Sequence, residues 1–290
     1  MPLVSIIIPT YNRIQLIQQT LDSIQKQVLT DWECIVVDDN SNDNTESILR
    51  HICQEDNRIK YYKNENSKGA PGARNTGLKY SNSPWVLFFD SDNTMSPYMV
   101  EKLYKYSSET DADVITCWSN IIDRNLNTKI GNFNWFCEGD ILEDLITAKT
   151  YVDTNSALIR KEKIEACGGW SEDCPSFQEW DLHLRLCQTS KYTTIKETLT
   201  NYYINGEDTI SKDRNREIEG YLYILKKYKN LWKRYPDYYL KYGERVLSII
   251  NDTKYYKHLN QLFSLFPSLR KQFLLMQLKK IYHKIKCSNK

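Results

Sequence analysis

The first part of the chain alternates between short apolar runs and segments whose apolar residues recur every three or four positions. Residues 3–8 form a mainly β-branched run that is apolar except for Ser5, which predicts a strand buried on both faces of a parallel sheet. From Ile14 the spacing is that of a helix lying on a sheet. Further strands are predicted over 33–37, 58–62 and 85–89, with helices between them. This alternation predicts an α/β fold with a doubly wound, mostly parallel sheet.

The pattern is weaker after the fourth predicted strand. Strands are predicted over 113–118 and 156–159, but residues 120–136 are aromatic and polar without a clear period. A helix is predicted over 179–187. We make no assignment for the stretch without a period.

The last part of the chain has a helical pattern. It runs from Glu217 to the end and is broken at Pro236 and Pro267. We therefore predict two domains, an α/β domain over 1–211 and a basic helical extension over 212–290.

Charge separates these two parts. The segment 212–290 holds 19 Lys and Arg against 6 Asp and Glu, although the whole chain has a net charge of only +2. Residues 253–290 contain nine basic and no acidic residues, and their apolar residues recur every three or four positions opposite a basic face: Leu274, Leu275, Leu278, Ile281, Tyr282 and Ile285. Because this pattern is typical of an interfacial helix, we predict peripheral contact with an anionic membrane. Packing on the α/β domain or on a second copy is the alternative.

Other features limit the class of protein. The apolar run at 3–8 is much shorter than the roughly 20 residues that span a bilayer, and no basic segment precedes it. We therefore expect a cytoplasmic protein, peripheral at the inner face of the cell membrane. Eight cysteines without a CxxC pair and four histidines without ligand spacing indicate neither a zinc site nor a disulfide framework.

Acidic residues follow the ends of predicted strands. Asp38 and Asp39 end the second strand, and Asp90 and Asp92 follow the fourth. In doubly wound sheets, ligands bind outside the carboxyl ends of the strands. Residues two apart in an extended segment face the same way, so Asp90 and Asp92 can converge on Mg²⁺ or Mn²⁺. The alternative is that each acid caps the helix that follows it.

Six segments follow one another along the chain: SIIIPTYNR (5–13), ECIVVDDNSNDNT (33–45), GAPGARNTGL (69–78), WVLFFDSDN (85–93), GGW (168–170) and FQEWDLHLRL (177–186). Their order and spacing over roughly residues 1–212 resemble the family 2 glycosyltransferases with the GT-A fold, a Rossmann-like nucleotide-sugar-binding domain. The resemblance implies an inverting enzyme that moves a sugar from a nucleotide diphosphate, with UDP as the expected carrier, to a carbohydrate hydroxyl. The expected setting is bacterial surface polysaccharide synthesis, O-antigen or capsule, on a lipid-linked acceptor.

The resemblance also implies roles for residues that contact the nucleoside. It places Thr10, Tyr11 and Arg13 near the nucleobase. It places Asp39, with Asp38 beside it, at the base or ribose. A carboxylate is a natural acceptor for a uracil imide or a ribose hydroxyl.

A second group of residues is implied for the diphosphate and the metal ion. Arg74 and Asn75 are expected to line the donor pocket, and Arg74 is suited to the diphosphate. Asp92 resembles the metal ligand, while Asp90, next to Ser91, is expected to meet the ribose or the metal. We therefore expect dependence on Mn²⁺ or Mg²⁺.

Two departures from the family pattern weaken the predicted metal site. Asn93 stands where the usual DxDD motif has its last carboxylate. Asn205 stands where many relatives carry a metal-binding histidine, and its amide oxygen is a weaker, neutral ligand. The prediction is a looser metal site.

On the acceptor side, Glu179 occupies the position of the catalytic base, where an aspartate is more common in the family. Asp181 is the alternative base. Trp170 and Trp180 are predicted to contact the acceptor sugar, although large aromatic residues more often belong to the core.

Two other classes of function remain open. A nucleotidyltransferase shares the sheet and the carboxylate pair, but residues 9–12 are not the Gly-rich phosphate loop expected after its first strand. A non-catalytic protein that binds sugar nucleotides or nucleic acid is suggested by the basic tail. Retention of both Asp92 and Glu179 favours catalysis, and no nucleic-acid partner is expected.

Overall fold

The computed structural model describes residues 1–204 and 213–288, with side chains through residue 278. The chain divides into two compact units, Met1–Asp173 with Gln178–Thr209, and Cys174–Phe177 with Ile210–Lys290. The division into domains at 211 and 212 stays a prediction.

The described part of the first unit contains nine strands: β1 (Val4–Thr10), β2 (Trp32–Asp38), β3 (Ile59–Lys63), β4 (Trp85–Phe88), β5 (Thr94–Met95), β6 (Val114–Asp123), β7 (Thr128–Phe133), β8 (Ala157–Arg160) and β9 (Tyr192–Ile204). Its helices are α1 (Ile14–Gln25), α2 (Thr45–Glu55), α3 (Ala70–Tyr80), α4 (Met99–Glu109), α5 (Leu142–Ile146), α6 (Lys161–Ala166) and α7 (Gln178–Leu186). A 3₁₀ turn, Thr154–Ser156, precedes β8.

These strands form one sheet in the order β3-β2-β1-β4-β8-β6-β9-β5, with β7 paired to β6. Strands β1 to β4 pair in parallel, as predicted. The pairs β4–β8, β6–β8, β6–β7 and β5–β9 are antiparallel, while β6–β9 is parallel. The predicted α/β class is confirmed, and the sheet is more mixed than the mostly parallel one predicted. Antiparallel neighbours need only short connections, such as the one between β6 and β7.

Helices cover both faces of the parallel strands. Ile6 and Ile8 of β1 share a buried cluster with Ile17 of α1. Ile7 points to the opposite face, where α3 approaches so closely that a Cβ on Gly77 would lie 2.3 Å from Ile7 Cγ2. The strand is therefore fully buried, as its apolar run predicts.

The segment without a sequence period, 120–136, contains the end of β6 and all of β7. The β6–β7 ladder shifts register between Ile121 and Ile122, and the β6–β9 ladder shifts around Trp118. Each shift interrupts the two-residue alternation of a strand. The shift at Ile121 and Ile122 lies within the segment and accounts for part of the missing pattern.

The second unit is helical, as predicted. Its helices are α8 (Arg214–Lys227), α9 (Lys229–Trp232), α10 (Pro236–Thr253), α11 (Leu259–Leu265) and α12 (Leu269–Ser288). Pro236 begins α10, and Pro267 lies between α11 and α12, so both predicted breaks are confirmed. Within 1–204 and 213–288, no helix is long and apolar enough to cross a membrane.

Candidate functional site

The ends of β1, β2 and β4 meet at one edge of the sheet. Strand β1 lies between β2 and β4, and Thr10 pairs with Asp38. The backbone N–H of Asp39 donates to the carbonyl of Thr10 at 2.8 Å. Strand β4 runs beside β1 up to Phe88, two residues before Asp90. The structure therefore brings together the polar residues that the sequence places at these strand ends.

Asp38 is buried, and its carboxylate is bonded to its own surroundings. One oxygen accepts the N–H of Ser41 at 2.9 Å and its hydroxyl at 2.5 Å. The other accepts the hydroxyl of Tyr61 at 3.0 Å, and burial together with this carboxylate raises the pKa of Tyr61. Asp38 thus links the loop that follows β2 to strand β3.

Asp39 is also buried and ties two loops together. Its carboxylate accepts the side-chain amide of Asn64 and the backbone N–H of Gly69, each at 2.7 Å. Gly69 has φ of +117°, a conformation that glycine adopts without strain, and α3 begins at the next residue. Asp39 therefore fixes the start of the helix that carries Arg74.

The residues predicted near the nucleobase have different exposures. The Thr10 hydroxyl is buried and has no hydrogen-bond partner in the described part of the chain. Tyr11 is 42% exposed, and Lys68 Nζ lies 5.0 Å from its ring centroid. Arg13 instead turns towards Asp92, with 3.8 Å between Nη1 and Oδ2. The first two residues offer a hydroxyl and an open aromatic face, and the third adds positive charge beside a carboxylate.

Arg74 is the most unusual side chain at this edge. It is 3% exposed, and its Nη2 donates to Asp90 Oδ1 at 2.9 Å. Its guanidinium lies over the ring of Trp170, 4.4 Å from the centroid. Nε and Nη1 have no hydrogen-bond partner among the described residues. Buried donors without an acceptor each cost about 1–3 kcal/mol, so this geometry favours an anionic ligand on Arg74.

Asp90 is held on both sides. Its second carboxylate oxygen accepts the side-chain amide of Asn155 at 2.9 Å, and its backbone N–H donates to the oxygen of the same amide at 2.7 Å. With Arg74 on the first oxygen, the orientation of the carboxylate is fixed. Each carboxylate oxygen has two lone pairs, so Asp90 can still accept further ligands.

Asp92 is less constrained, with a side chain 33% exposed. Burial raises the pKa of Asp92, and the nearby Asp90 raises it further, while Arg13 and Arg124 oppose the shift. Arg124 also donates to the backbone carbonyl of Asp92. Ser91, between the two acids, is 7% exposed. Two carboxylates therefore lie close enough to repel each other.

Asn93, which replaces the last carboxylate of the usual DxDD motif, makes hydrogen bonds within the protein. Its amide oxygen accepts the N–H of Tyr203 at 3.0 Å, and its carbonyl accepts the hydroxyl of Thr20 at 2.8 Å. It links the loop after β4 to β9 and to α1. The other predicted departure, Asn205, lies outside the described residues.

Glu179 and Asp181 lie on α7 in contrasting environments. Glu179 is half-buried, and one of its carboxylate oxygens accepts the hydroxyl of Thr154 at 3.1 Å. Asp181 is 0% exposed and accepts from Ser171 at 2.6 Å and from Arg185 at 2.8 Å. Only Glu179 is accessible enough to meet a substrate hydroxyl.

The two predicted acceptor-binding tryptophans are buried. Trp170 is 3% exposed and packs edge-on against Phe88 at 5.1 Å, and Trp180 is 9% exposed. Neither offers an open ring face to a sugar, because packing encloses both. Asn75 bonds to the backbone N–H and carbonyl of Trp170 at 2.8 and 2.9 Å, so it positions the ring that supports Arg74.

Sequence reasoning missed the short turn before β8. Thr154 bonds to Glu179, Asn155 bonds to Asp90, and Asp153 accepts from Asn155 at 3.1 Å. Burial raises the pKa of Asp153 to about 6, although hydrogen bonds from Asn155 oppose the shift. A polar triplet directly before a predicted strand was the available signal. One turn thus connects the proposed base to the carboxylate pair.

The residues present fit a divalent cation. Mg²⁺ is usually bound by one or two carboxylates together with substrate phosphates and water. Asp90 and Asp92 supply two carboxylates whose mutual repulsion a cation would relieve. In the part of the chain that the structure describes, no group of three or more His, Cys, Asp or Glu is arranged to hold a metal. The remaining ligands would therefore come from elsewhere.

The chain matches a family model and a curated relative. The model described as Glycosyl transferase family 2 matches residues 5–167. A GalNAc(5)-diNAcBac-PP-undecaprenol beta-1,3-glucosyltransferase of Campylobacter jejuni is 39% identical over 115 residues, which are 39% of this chain and 37% of that protein. The match thus spans little more than a third of the relative's length, and α7 lies beyond the family-model match.

Two solved structures share the fold. Staphylococcus aureus TarS 1-349 in complex with UDP-GlcNAc has a TM-score of 0.67 at 19% identity, covering 93% of this chain and 77% of that one. The mannosyltransferase PcManGT from Pyrobaculum calidifontis, in complex with GDP-Man and Mn²⁺, has a TM-score of 0.61 at 14% identity, covering 98% and 81%. At these identities the likeness establishes the fold alone.

Proposed function

The chain belongs to glycosyl transferase family 2, and we propose that it is an inverting enzyme that moves a sugar from a nucleoside diphosphate to a carbohydrate hydroxyl. The observation that carries the proposal is a series of contacts that connects three features through the turn before β8. These are Arg74 with two unpartnered donors, the Asp90 and Asp92 pair, and Glu179. The predicted GT-A fold is confirmed by the structural likenesses. Family membership decides against a nucleotidyltransferase.

Arg74 is the proposed binding residue for the donor diphosphate. Its buried Nε and Nη1 need acceptors, and a guanidinium is a permanent cation whose N–H groups suit phosphate oxygens. Trp170 below the guanidinium and Asp90 beside it fix its plane. The diphosphate would therefore meet donors that are already oriented.

The nucleoside is proposed to lie beyond the end of β1. Tyr11 is exposed and offers a face for the base. The Thr10 hydroxyl, buried without a partner in the described ranges, and the carboxylate of Asp39 would bond to polar groups of the base or ribose. UDP is the carrier we propose, as the resemblance implies.

Asp92 and Asp90 would hold Mn²⁺ or Mg²⁺, which when bound would neutralise negative charge on the leaving diphosphate. The chain's own part is to keep that pair in place. Asn155 and Arg74 fix Asp90, and Arg124 holds the backbone of Asp92.

Glu179 is the proposed general base. Its carboxylate would take the proton of the acceptor hydroxyl while that oxygen attacks the anomeric carbon. The bond from the anomeric carbon to the diphosphate oxygen breaks, the electron pair leaves with the nucleoside diphosphate, and the configuration inverts. Thr154 orients the carboxylate by one hydrogen bond. Asp181, enclosed with Arg185, is proposed to position α7 instead.

The proposed acceptor is a lipid-linked carbohydrate of a bacterial surface polysaccharide pathway, since the Campylobacter relative is named for an undecaprenol-linked substrate. The described part of α12 supports contact with a membrane surface. Phe273 packs against Phe263, with ring centroids 6.0 Å apart. The three leucines on the other side are 50–62% exposed: Leu274, Leu275 and Leu278. Exposed leucines on a basic tail suit an anionic membrane.

Donor turnover tests the proposed reaction. UDP-, GDP- and dTDP-sugars are incubated with the protein in Mn²⁺, Mg²⁺ or EDTA, beside Asp92→Ala. We expect one class of donor to be hydrolysed or transferred, with loss of turnover in EDTA and in the variant. Neither turnover nor binding across the panel would overturn the proposal and favour the non-catalytic alternative.

Sedimentation with anionic liposomes tests the membrane contact separately. Replacing Leu274, Leu275 and Leu278 together with serine removes apolar side chains and leaves the net charge unchanged. We expect the variant to partition less than the wild type. Equal partitioning would remove these leucines from the interface.

A further inference from the structure

We propose that Arg124, which directly follows β6, is a second binding residue for the diphosphate of the donor. This inference rests on the proposed function, because it adds a contact to the same donor site. Arg124 would act beside Asp92 as Arg74 is proposed to act beside Asp90. Sequence reasoning did not find it, since it lies in the stretch without a period, 120–136.

Arg124 and Arg74 are supported in the same way. The guanidinium of Arg124 lies over the ring of Tyr203, with 4.4 Å between its central carbon and the ring centroid. The guanidinium of Arg74 lies over an aromatic ring at the same distance. A ring below a guanidinium restrains its plane, while the N–H groups, which lie in that plane, can still reach a ligand at its edge. Both side chains are therefore oriented before a ligand binds.

Arg124 and the ring below it are tied to the loop that carries the acids. The backbone N–H of Tyr203 donates to the amide oxygen of Asn93 at 3.0 Å. The backbone N–H of Arg124 donates to the carbonyl of Ile204 at 3.0 Å, and its guanidinium donates to the backbone carbonyl of Asp92. Arg124 is half-buried. Its guanidinium therefore has a fixed place beside Asp92 and is accessible to a ligand.

The charges around the two acids favour an anionic ligand. Arg74 pairs with Asp90 at 2.9 Å. Arg13 and Arg124 both oppose the rise in the pKa of Asp92, so both guanidinium groups lie near that carboxylate. Three guanidinium groups thus face two carboxylates, and binding of a divalent cation would increase the excess of positive charge. The negative charges of a diphosphate would balance this excess.

The place of Arg124 in the sheet indicates which phosphate it would contact. The nucleoside is proposed to lie beyond the end of β1, and β4 and β8 separate β1 from β6. Arg124 therefore approaches the acids from the side away from the nucleoside. The phosphate on that side is the terminal one, which carries the sugar and gains negative charge when its bond to the sugar breaks. A fixed guanidinium there would stabilise this charge as it develops.

Calorimetry with UDP, GDP and dTDP, each beside its monophosphate, tests this contact. The diphosphate that the wild type binds most tightly, and its monophosphate, are titrated in Mn²⁺ and in EDTA. The variants are Arg124→Ala and Arg124→Gln, of which the second keeps an N–H donor for the carbonyl of Asp92 but loses the charge. The matched control is Arg160→Ala, since Arg160 is also half-buried and lies over an aromatic ring, 4.6 Å from the centroid of Trp85, but where β4 begins. Thermal denaturation checks that each protein is folded.

In both Arg124 variants, affinity for the diphosphate should fall at least about ten-fold in Mn²⁺ and in EDTA, because hydrogen bonds between charged groups are lost. Affinity for the monophosphate should change by less than about three-fold, since a charge that makes no contact with the ligand is screened by salt. Arg160→Ala should bind both nucleotides as the wild type does.

Three results would overturn the contact and leave the proposed function intact. These are a loss confined to Mn²⁺, an equal loss for the monophosphate, and wild-type affinity for the diphosphate in Arg124→Gln. The first and third would show that Arg124 acts only by holding Asp92 in place. Binding of no nucleotide by the wild type would instead defeat the proposed function.

Discussion

The two halves of the sheet hold their functional residues in different ways. In the parallel half, β1 to β4, the polar residues follow the strands directly, and backbone pairing such as Thr10 with Asp38 brings them together. In the mixed half, β6 to β9 with α7, they come from a 3₁₀ turn and a helix. The donor side is therefore positioned mainly by the sheet, whereas the acceptor side depends on hydrogen bonds between side chains.

The halves meet at one short turn. Asn155 reaches the carboxylate of Asp90 in the parallel half, and Thr154 reaches Glu179 in the mixed half. The distance between the proposed base and the carboxylate pair is therefore set by a single turn. Substitutions on either side of this turn can therefore be compared for their effects on the transfer reaction and on the free energy of unfolding.

The substitution with the greatest predicted effect tests the transfer step apart from donor binding. Glu179→Gln keeps the bond from Thr154 but cannot take a proton, so transfer should fall about 10²- to 10⁴-fold, the usual contribution of a general base. Nucleotide affinity and melting temperature should stay at their wild-type values. Transfer assays, calorimetry and thermal denaturation measure the three quantities, with Glu162→Gln on the exposed face of α6 as the control. Unchanged transfer would remove Glu179 from the reaction.

The next prediction distinguishes the roles of the two acidic residues of α7, Glu179 and Asp181. Asp181→Ala leaves Arg185 without its buried partner, and breaking a buried pair costs about 3 kcal/mol or more. We therefore expect a clear fall in the free energy of unfolding, measured by urea denaturation. Asp31→Ala, at an exposed position, should be near neutral. A stable Asp181→Ala protein that had lost transfer would exchange the roles we assign to the two acids.

The third effect compares glycines in the two halves. Gly77→Ala places a methyl group 2.3 Å from Ile7 Cγ2, whereas Gly131→Ala in β7 makes an ordinary contact of 3.5 Å with Ile121. We expect a loss of about 1–3 kcal/mol for the first and no measurable loss for the second. Equal melting temperatures would contradict the tight packing of α3 on β1.

Much of the difference between the two halves of the sheet could be predicted from the sequence. The apolar run at 3–8 and the acids after β2 and β4 predicted the parallel half, because buried parallel strands leave a strong local pattern. Asp153, Thr154 and Asn155 were not found, since their roles depend on tertiary contacts with distant segments. Burial also reversed the expectation for Trp170, whose neighbours Phe88 and Arg74 come from other elements. Local pattern therefore predicts strand ends but not which side chains remain accessible.

The smallest predicted effect is a pH dependence of the free energy of unfolding that arises from a histidine of the mixed half. Burial lowers the pKa of His183 to about 3, and Arg185 adds to the shift. The unfolded chain binds a proton near pH 6.5, so between these values the unfolded state holds more protons and stability falls as the pH is lowered.

From pH 7 to 5.5 this group should cost on the order of 1 kcal/mol. His183→Gln, which can still bond to the hydroxyl of Tyr192, should show a smaller loss of melting temperature over that interval. An identical loss in both proteins would show that His183 is accessible to protonation in the folded state.

The most direct test of the account is the nucleotide affinity of Arg74→Lys. Lysine keeps a positive charge beside Asp90 but removes the two guanidinium donors, Nε and Nη1, that have no partner among the described residues. Calorimetry with the nucleoside diphosphate that the wild type binds, in Mn²⁺, should show affinity reduced at least about ten-fold, because hydrogen bonds to charged groups contribute about 1.5–3 kcal/mol. An unchanged affinity in a folded variant would contradict the placement of the donor diphosphate on Arg74.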